Sequence, residues 1–147
     1  MQIDLGTVRN IAEAHRQTPG GLMPALHAVQ DALGHVPDAA VPILAESFNL
    51  SRAEVHGVVT YYHHFRREPA GRHVVQVCRA EACQACGAEA LLANAEKQLQ
   101  GCDVTLEPVY CLGLCASSPA IQIDDKLHAR VTPQRLQALL SQLEVAQ

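Results

Sequence analysis

The most informative stretches of this chain are Cys78-Arg79-Ala80-Glu81-Ala82-Cys83 and Cys111-Leu112-Gly113-Leu114-Cys115. Four residues separate the first two thiols and three separate the second two, so each stretch can bring two thiolates onto one metal ion. The chain between the two pairs is long enough for one helix and one strand. A helix followed by a strand can return the chain to the same end of a small sheet, which would place the two cysteine pairs side by side.

The residues that flank the cysteine pairs predict a small α/β layer. Each pair follows a short run rich in β-branched residues, which is typical of a strand. The predicted strands cover residues 73–77, 104–109, 120–123 and 127–130. An Ala- and Leu-rich run from Ala82 to Leu99 predicts one helix, and Thr132 followed by Pro133 predicts the start of another. The order β-α-β-β-β-α, with a hairpin turn at residues 124–126, indicates a thioredoxin-like domain.

Residues from about 4 to 65 predict a bundle of four helices. Apolar residues recur there at helical spacing, and Gly34 lies where the end of the second helix is expected. Ser51 and Glu54 have the spacing of a capping box, in which each side chain bonds the backbone N–H of the other residue.

The stretch Glu68-Pro69-Ala70-Gly71 separates these two patterns and is the best candidate for a domain boundary. We therefore expect an α+β protein. Residues 1–70 would form an N-terminal helical bundle, and residues 71–147 would form the thioredoxin-like domain.

Composition argues against several classes of function. A net charge of −4 argues against a nucleic-acid surface, which needs a basic face. No run of about 18 apolar residues occurs, so no membrane insertion is expected, and Met1 to His15 lacks the apolar core of a secretory signal. Six cysteines without an export signal are typical of reduced thiols or metal ligands. We therefore expect a cytoplasmic protein.

Two close thiol pairs predict a [2Fe–2S] centre, because each of its two irons completes a tetrahedron with two protein sulfurs. Two other sites fit the residues. A structural zinc ion accepts four thiolates at similar spacing. A thiol redox site could use Cys83-Gln84-Ala85-Cys86, a C-x-x-C sequence, but it would leave the second pair unexplained. Spacing alone leaves all three open.

Nothing else in the sequence forms a reactive constellation, so we expect no substrate chemistry in this chain. Cys86 and Cys102 are expected to be small, buried and unreactive, although Cys86 is close enough to the first pair to substitute as a ligand. The eight histidines form no convincing metal site. The aromatic residues from Tyr61 to Phe65 are expected to pack in the core, with a partner-docking patch as the alternative.

Several of these motifs together resemble the 24-kDa-type [2Fe–2S] subunit family of respiratory complex I. The resemblance covers nearly the whole chain and is carried by Val55-His56-Gly57-Val58-Val59-Thr60-Tyr61-Tyr62, Pro69-x-Gly71, the two cysteine pairs and Ser118-Pro119. It implies a helical bundle followed by a thioredoxin-like ferredoxin domain. It also implies one [2Fe–2S] cluster, whose ligands would be Cys78, Cys83, Cys111 and Cys115.

Within this family, three stretches are most similar to the gamma subunits of NAD-dependent molybdenum formate dehydrogenases. They are residues 22–34, residues 61–65 and residues 127–133. This resemblance implies an electron-transfer subunit that docks against an FMN- and NAD-binding subunit and, through it, serves a catalytic molybdenum subunit. The corresponding subunits of complex I and of NAD-linked hydrogenases are the alternatives.

Overall fold

The computed structural model describes residues 4–144. The chain divides into two compact units, Met1–Ala70 and Gly71–Gln147. Each unit contains its own cluster of buried apolar side chains. That each unit is a domain able to fold alone stays a prediction.

Residues 4–70, the described part of the first unit, form four helices. They are α1 (Leu5–His15), α2 (Leu22–Leu33), α3 (Ala40–Phe48) and α4 (Arg52–Tyr61). The predicted capping box begins α4: Ser51 Oγ accepts from Glu54 N–H at 3.2 Å, and Ser51 N–H donates to the Glu54 carboxylate at 2.8 Å. The predicted helical bundle is confirmed in this part of the chain, and Gly34 ends α2 as expected.

The core of the first unit lies between these helices. Its largest fully buried side chains are Val8, Leu26, Val29, Val36, Leu44 and Val55. Phe65, which follows α4, is also buried. The buried Gln30 fixes this segment to α2, because its side-chain amide donates to His64 C=O at 2.8 Å and accepts from Arg66 N–H at 2.7 Å. Tyr61 and Tyr62, by contrast, are exposed.

Over residues 71–144, the second unit is a four-stranded sheet with three α-helices. Its elements are β1 (His73–Cys78), α5 (Glu81–Ala85), α6 (Ala88–Gln98), β2 (Val104–Val109), β3 (Ile121–Ile123), β4 (Lys126–His128) and α7 (Pro133–Glu144). The strand order is β2-β1-β3-β4. Strand β1 pairs parallel to β2 and antiparallel to β3, and β3 pairs antiparallel to β4. The predicted α+β class is confirmed.

The register of β1 and β2 positions the cysteine loops. Cys78, the last residue of β1, is level with Val109, the last residue of β2. The two parallel strands therefore end together, and both cysteine pairs begin at the same edge of the sheet. Cys78 N–H also donates to Ala120 C=O at 3.1 Å, so the chain that enters β3 meets the same edge.

Two predicted elements were wrong in detail. The single helix expected from Ala82 to Leu99 is broken at Cys86 and Gly87, because Gly87 adopts a left-handed φ of 91° that no α-helix continues through.

The fourth strand was expected over residues 127–130 but ends at His128. Arg130 N–H donates instead to Ser117 C=O and Val131 N–H to Pro119 C=O, which turns this segment toward the loop after the second cysteine pair. Among residues 4–144, no helix has the length and apolar character needed to cross a membrane.

Candidate metal centre

Four cysteines lie at the edge of the sheet where β1 and β2 end. Cys78 is the last residue of β1 and Cys83 lies in α5. Cys111 follows β2, and Cys115 opens a single turn of 3-10 helix, Cys115–Ser117. Cys78 and Cys83 are buried, whereas Cys111 and Cys115 are exposed. One pair thus faces the interior of the unit and the other faces solvent.

The thiols within each pair are in direct contact. Cys111 Sγ and Cys115 Sγ lie 3.6 Å apart, and the thiols of Cys78 and Cys83 are hydrogen-bonded to each other. The hydrogen bond with Cys111 and the charge of Cys111 raise the pKa of Cys115, and slight desolvation and the charges of Cys83 and Cys78 raise it further. The two pairs are therefore close enough to repel one another as thiolates. Bound cations would relieve that repulsion.

The loop of the second pair bends sharply around its first sulfur. Cys111 has a φ of 140° and Gly113 a φ of 75°, a left-handed conformation that glycine adopts without a Cβ penalty. The turn brings Gly113 N–H to 3.3 Å from Cys111 Sγ, to which it donates.

The buried pair is surrounded by more donors than the exposed pair. Burial raises the pKa of the Cys78 thiol, and backbone N–H groups of Ala80 and Leu112, which donate to its sulfur, only partly offset that effect. Burial also acts to raise the pKa of Cys83, but its hydrogen bonds with the Ser118 hydroxyl, with Ala120 N–H and with Cys78 outweigh that effect and lower the pKa overall. Hydrogen bonds of this kind stabilise a buried thiolate.

This donor set fits a cluster with two irons. Within residues 4–144, no three His, Cys, Asp or Glu side chains are grouped so that they could hold one metal ion. The thiols form two pairs instead, and a [2Fe–2S] cluster takes two protein sulfurs on each iron.

The two remaining cysteines differ from each other. Cys86 was expected to be buried, and that expectation was wrong. It is exposed, because it ends the short helix α5, where its N–H donates back to Ala82 and Cys83 C=O. Cys102 is half-buried, with its Sγ 4.0 Å from Gln98 C=O.

One ion pair near the site had no sequence signal. Arg79, directly after Cys78, donates to both carboxylate oxygens of Glu89 in the first turn of α6, at 2.8 and 2.9 Å. The hydrogen bonds and the charge of Glu89 raise the pKa of Arg79. The pair ties the first cysteine loop to α6. The position of Glu89 depends on the break at Gly87. The sequence predicted a continuous helix there, so the ion pair could not be predicted.

Comparison with known proteins gives a consistent result. The family described as thioredoxin-like [2Fe-2S] ferredoxin matches residues 8–144. One NADH-quinone oxidoreductase subunit of Pseudomonas aeruginosa is 38% identical over 125 residues, covering 79% of this chain and 75% of that protein. The HndA subunit of an NADP-reducing hydrogenase from Solidesulfovibrio fructosivorans is 30% identical over 139 residues, covering 88% of this chain and 81% of that protein.

Solved structures show the same fold. A crystal structure of an NAD+-reducing [NiFe]-hydrogenase in the H2-reduced state matches with a TM-score of 0.69 at 22% sequence identity. The match covers 85% of this chain and 22% of that one. At this level of identity the likeness concerns the fold alone.

Proposed function

This chain belongs to the thioredoxin-like [2Fe–2S] ferredoxin family, and from that premise we propose how its residues hold and use the cluster. Its cofactor is one [2Fe–2S] cluster, and its role is that of an electron-transfer subunit in an NADH-linked complex. When bound, such a cluster takes up and releases one electron at a time. The finer assignments of ligands and parent complex are proposals.

We propose that one iron is held by Cys78 and Cys83 and the other by Cys111 and Cys115. The observation that carries this assignment is the meeting of two thiol pairs at one sheet edge, with Cys111 Sγ and Cys115 Sγ only 3.6 Å apart. Cys78 and Cys83 would hold their iron away from water, and Cys111 and Cys115 would hold theirs at the surface. The exposed pair would then lie on the side that faces an electron donor or acceptor.

We further propose that the parent enzyme is an NAD-dependent molybdenum formate dehydrogenase, in which this chain is the gamma subunit. The support is the similarity of residues 22–34, 61–65 and 127–133 to that branch of the family. The chain would dock against an FMN- and NAD-binding subunit and exchange electrons between its flavin and the catalytic molybdenum subunit. We propose a cytoplasmic location, since all six cysteines are free thiols in the structure.

The alternatives are the equivalent subunits of complex I and of a hydrogenase. The relatives named above belong to those two kinds of complex. Both share the fold and the cluster, so the electron-transfer role stands under either assignment.

The ligand assignment is tested by single Cys→Ser substitutions in the full chain. We expect the purified wild type to be reddish-brown, with absorption bleached by dithionite and an EPR signal on reduction. Cys78→Ser and Cys111→Ser should lose or strongly alter that signal. Cys102→Ser is the matched control and should leave it unchanged. A colourless protein containing zinc would refute the assignment, and so would a normal signal in Cys111→Ser.

The parent complex is tested by purifying the native assembly and assaying dye reduction with formate and with NADH. Activity with both donors supports the formate dehydrogenase. Activity with NADH but not with formate would assign the chain to complex I or to a hydrogenase.

A further inference from the structure

Ser118 lies between the two cysteine pairs and contacts both. Its Oγ is 3.5 Å from Cys83 Sγ in the buried pair. The same hydroxyl donates to the backbone carbonyl of Cys115, in the exposed pair, at 2.8 Å.

The contact between Ser118 and Cys83 changes character when the cysteine becomes a ligand. In the free thiol, Cys83 S–H can donate to Ser118 Oγ while Ser118 O–H donates to Cys115 C=O. A metal-bound thiolate has no hydrogen to donate. The lone pairs of Cys83 Sγ and Ser118 Oγ would then repel each other, unless the Ser118 hydroxyl turns its hydrogen toward the sulfur.

The other hydrogen-bond donors at the site cannot turn toward or away from the sulfurs in this way. The N–H groups that reach the cysteine sulfurs belong to the backbone of Ala80, Leu112, Gly113 and Ala120. Their directions are fixed by the loops. The Ser118 hydroxyl can instead rotate between two acceptors, because a hydroxyl hydrogen turns freely about the C–O bond.

We propose that Ser118 is a positioning residue that raises the reduction potential of the cluster through Cys83. Its hydroxyl donates to Cys83 Sγ, and it does so more fully in the reduced state, when one additional electron makes the sulfurs more negative. Hydrogen bonds to ligand sulfurs that strengthen on reduction favour the reduced form. The electron comes from a reduced flavin, or from dithionite in vitro, and no proton is transferred because the hydrogen stays on Ser118.

This proposal rests on the proposed ligand role of Cys83. It concerns a property that the family assignment leaves open, namely which side chain of this protein sets the potential.

The experiment is an EPR-monitored redox titration of the full-length, cluster-loaded chain at fixed pH. Ser118→Ala should shift the midpoint potential to a more negative value. Ser117→Ala is the matched control. Ser117 is the preceding residue and is equally half-buried, and its side chain makes no hydrogen bond to the cysteine sulfurs, so its substitution should leave the potential unchanged. Ser118→Thr, which keeps the hydroxyl, should restore a potential close to that of the wild type.

A second measurement distinguishes a hydrogen bond from a change in packing. Pulsed EPR of the reduced protein, transferred to D2O, should detect the exchangeable hydrogen of the hydroxyl in addition to those of the backbone N–H groups. This additional signal should be present in the wild type and in Ser118→Thr and absent from Ser118→Ala.

An unchanged potential in a Ser118→Ala protein with an intact EPR signal would overturn the proposal while leaving the cluster assignment in place. If Ser118→Ala loses the cluster, Ser118→Gly is titrated in its place. Loss of the cluster from both would also overturn the proposal, because the hydroxyl would then be needed for assembly. Absence of an EPR signal from the wild type would refute the proposed function itself.

Discussion

Gly113→Ala tests the backbone strain of the second cysteine loop separately from the proposed role of that loop in holding metal. Gly113 has a φ of 75°, and a Cβ built on it meets no atom within 4 Å. The cost of alanine is therefore that of the left-handed conformation alone, about 1–2 kcal/mol. This corresponds to a ratio of folded to unfolded protein roughly 5 to 30 times lower.

The cluster itself should survive this substitution. The backbone N–H of residue 113 is retained, so its hydrogen bond to Cys111 Sγ can still form. We expect an EPR signal and visible absorption close to those of the wild type. The stability difference is measured by denaturant unfolding of the metal-free protein under reducing conditions, followed by far-UV circular dichroism.

Gly101→Ala is the matched control for this prediction. Gly101 lies in the same unit, has a φ of 84°, and also has open space around the position of a Cβ, but it is remote in sequence from both cysteine pairs. Gly101→Ala should lower the free energy of unfolding by a similar amount. The reasoning fails if Gly101→Ala is destabilising and Gly113→Ala is not, because the loop around Gly113 would then not be left-handed in the folded protein.

Two further predictions concern the second unit. Leu136→Ala should reduce the free energy of unfolding by about 2–5 kcal/mol, because this side chain is fully buried. Leu127→Ala, at a side chain that is 51% exposed, should change it by less than about 0.5 kcal/mol, and equal effects would contradict the described core. For Asp124, burial acts to raise the pKa, but hydrogen bonds from Val74 N–H and from His73 outweigh it and lower the pKa. Its contribution to stability is thus present above about pH 4, the ordinary range of an aspartate, and is lost as pH falls from there. The difference in unfolding free energy between wild type and Asp124→Asn should shrink below about pH 4, and a difference that stays constant in chemical denaturation down to about pH 2 would refute this account.

The helices were predictable where local signals dominate. Ser51 and Glu54 form the expected capping box, and Thr132 accepts from Arg135 N–H at the start of α7, as expected of a cap. These contacts join residues three apart in sequence, so the pattern of side chains contains them. The α+β class followed from the same local signals.

The parts of the site that the sequence did not reveal depend on contacts distant along the chain. The donors Ala80, Leu112 and Ala120 act through backbone N–H groups, which any residue except proline supplies, so their identity has no signature. The break before α6 was missed because Ala82 to Leu99 is rich in helix formers on both sides of Gly87. The cysteine spacing predicted the four ligand thiols, and that assignment stays a prediction; which pair is buried depended on how the loops pack on the sheet.

Under the proposed ligand assignment, the parallel pairing of β1 with β2 makes metal loading a check on correct folding. Cys78 is level with Val109, so the two cysteine loops extend from neighbouring strands that end together. A slip of one residue between these strands would move one loop about 3.3 Å past the other and turn the side chains of the slipped strand to the opposite face. With Cys78, Cys83, Cys111 and Cys115 as the proposed ligands, a misaligned chain could not gather the four sulfurs, and only molecules with the right strand alignment would take up iron and acquire colour.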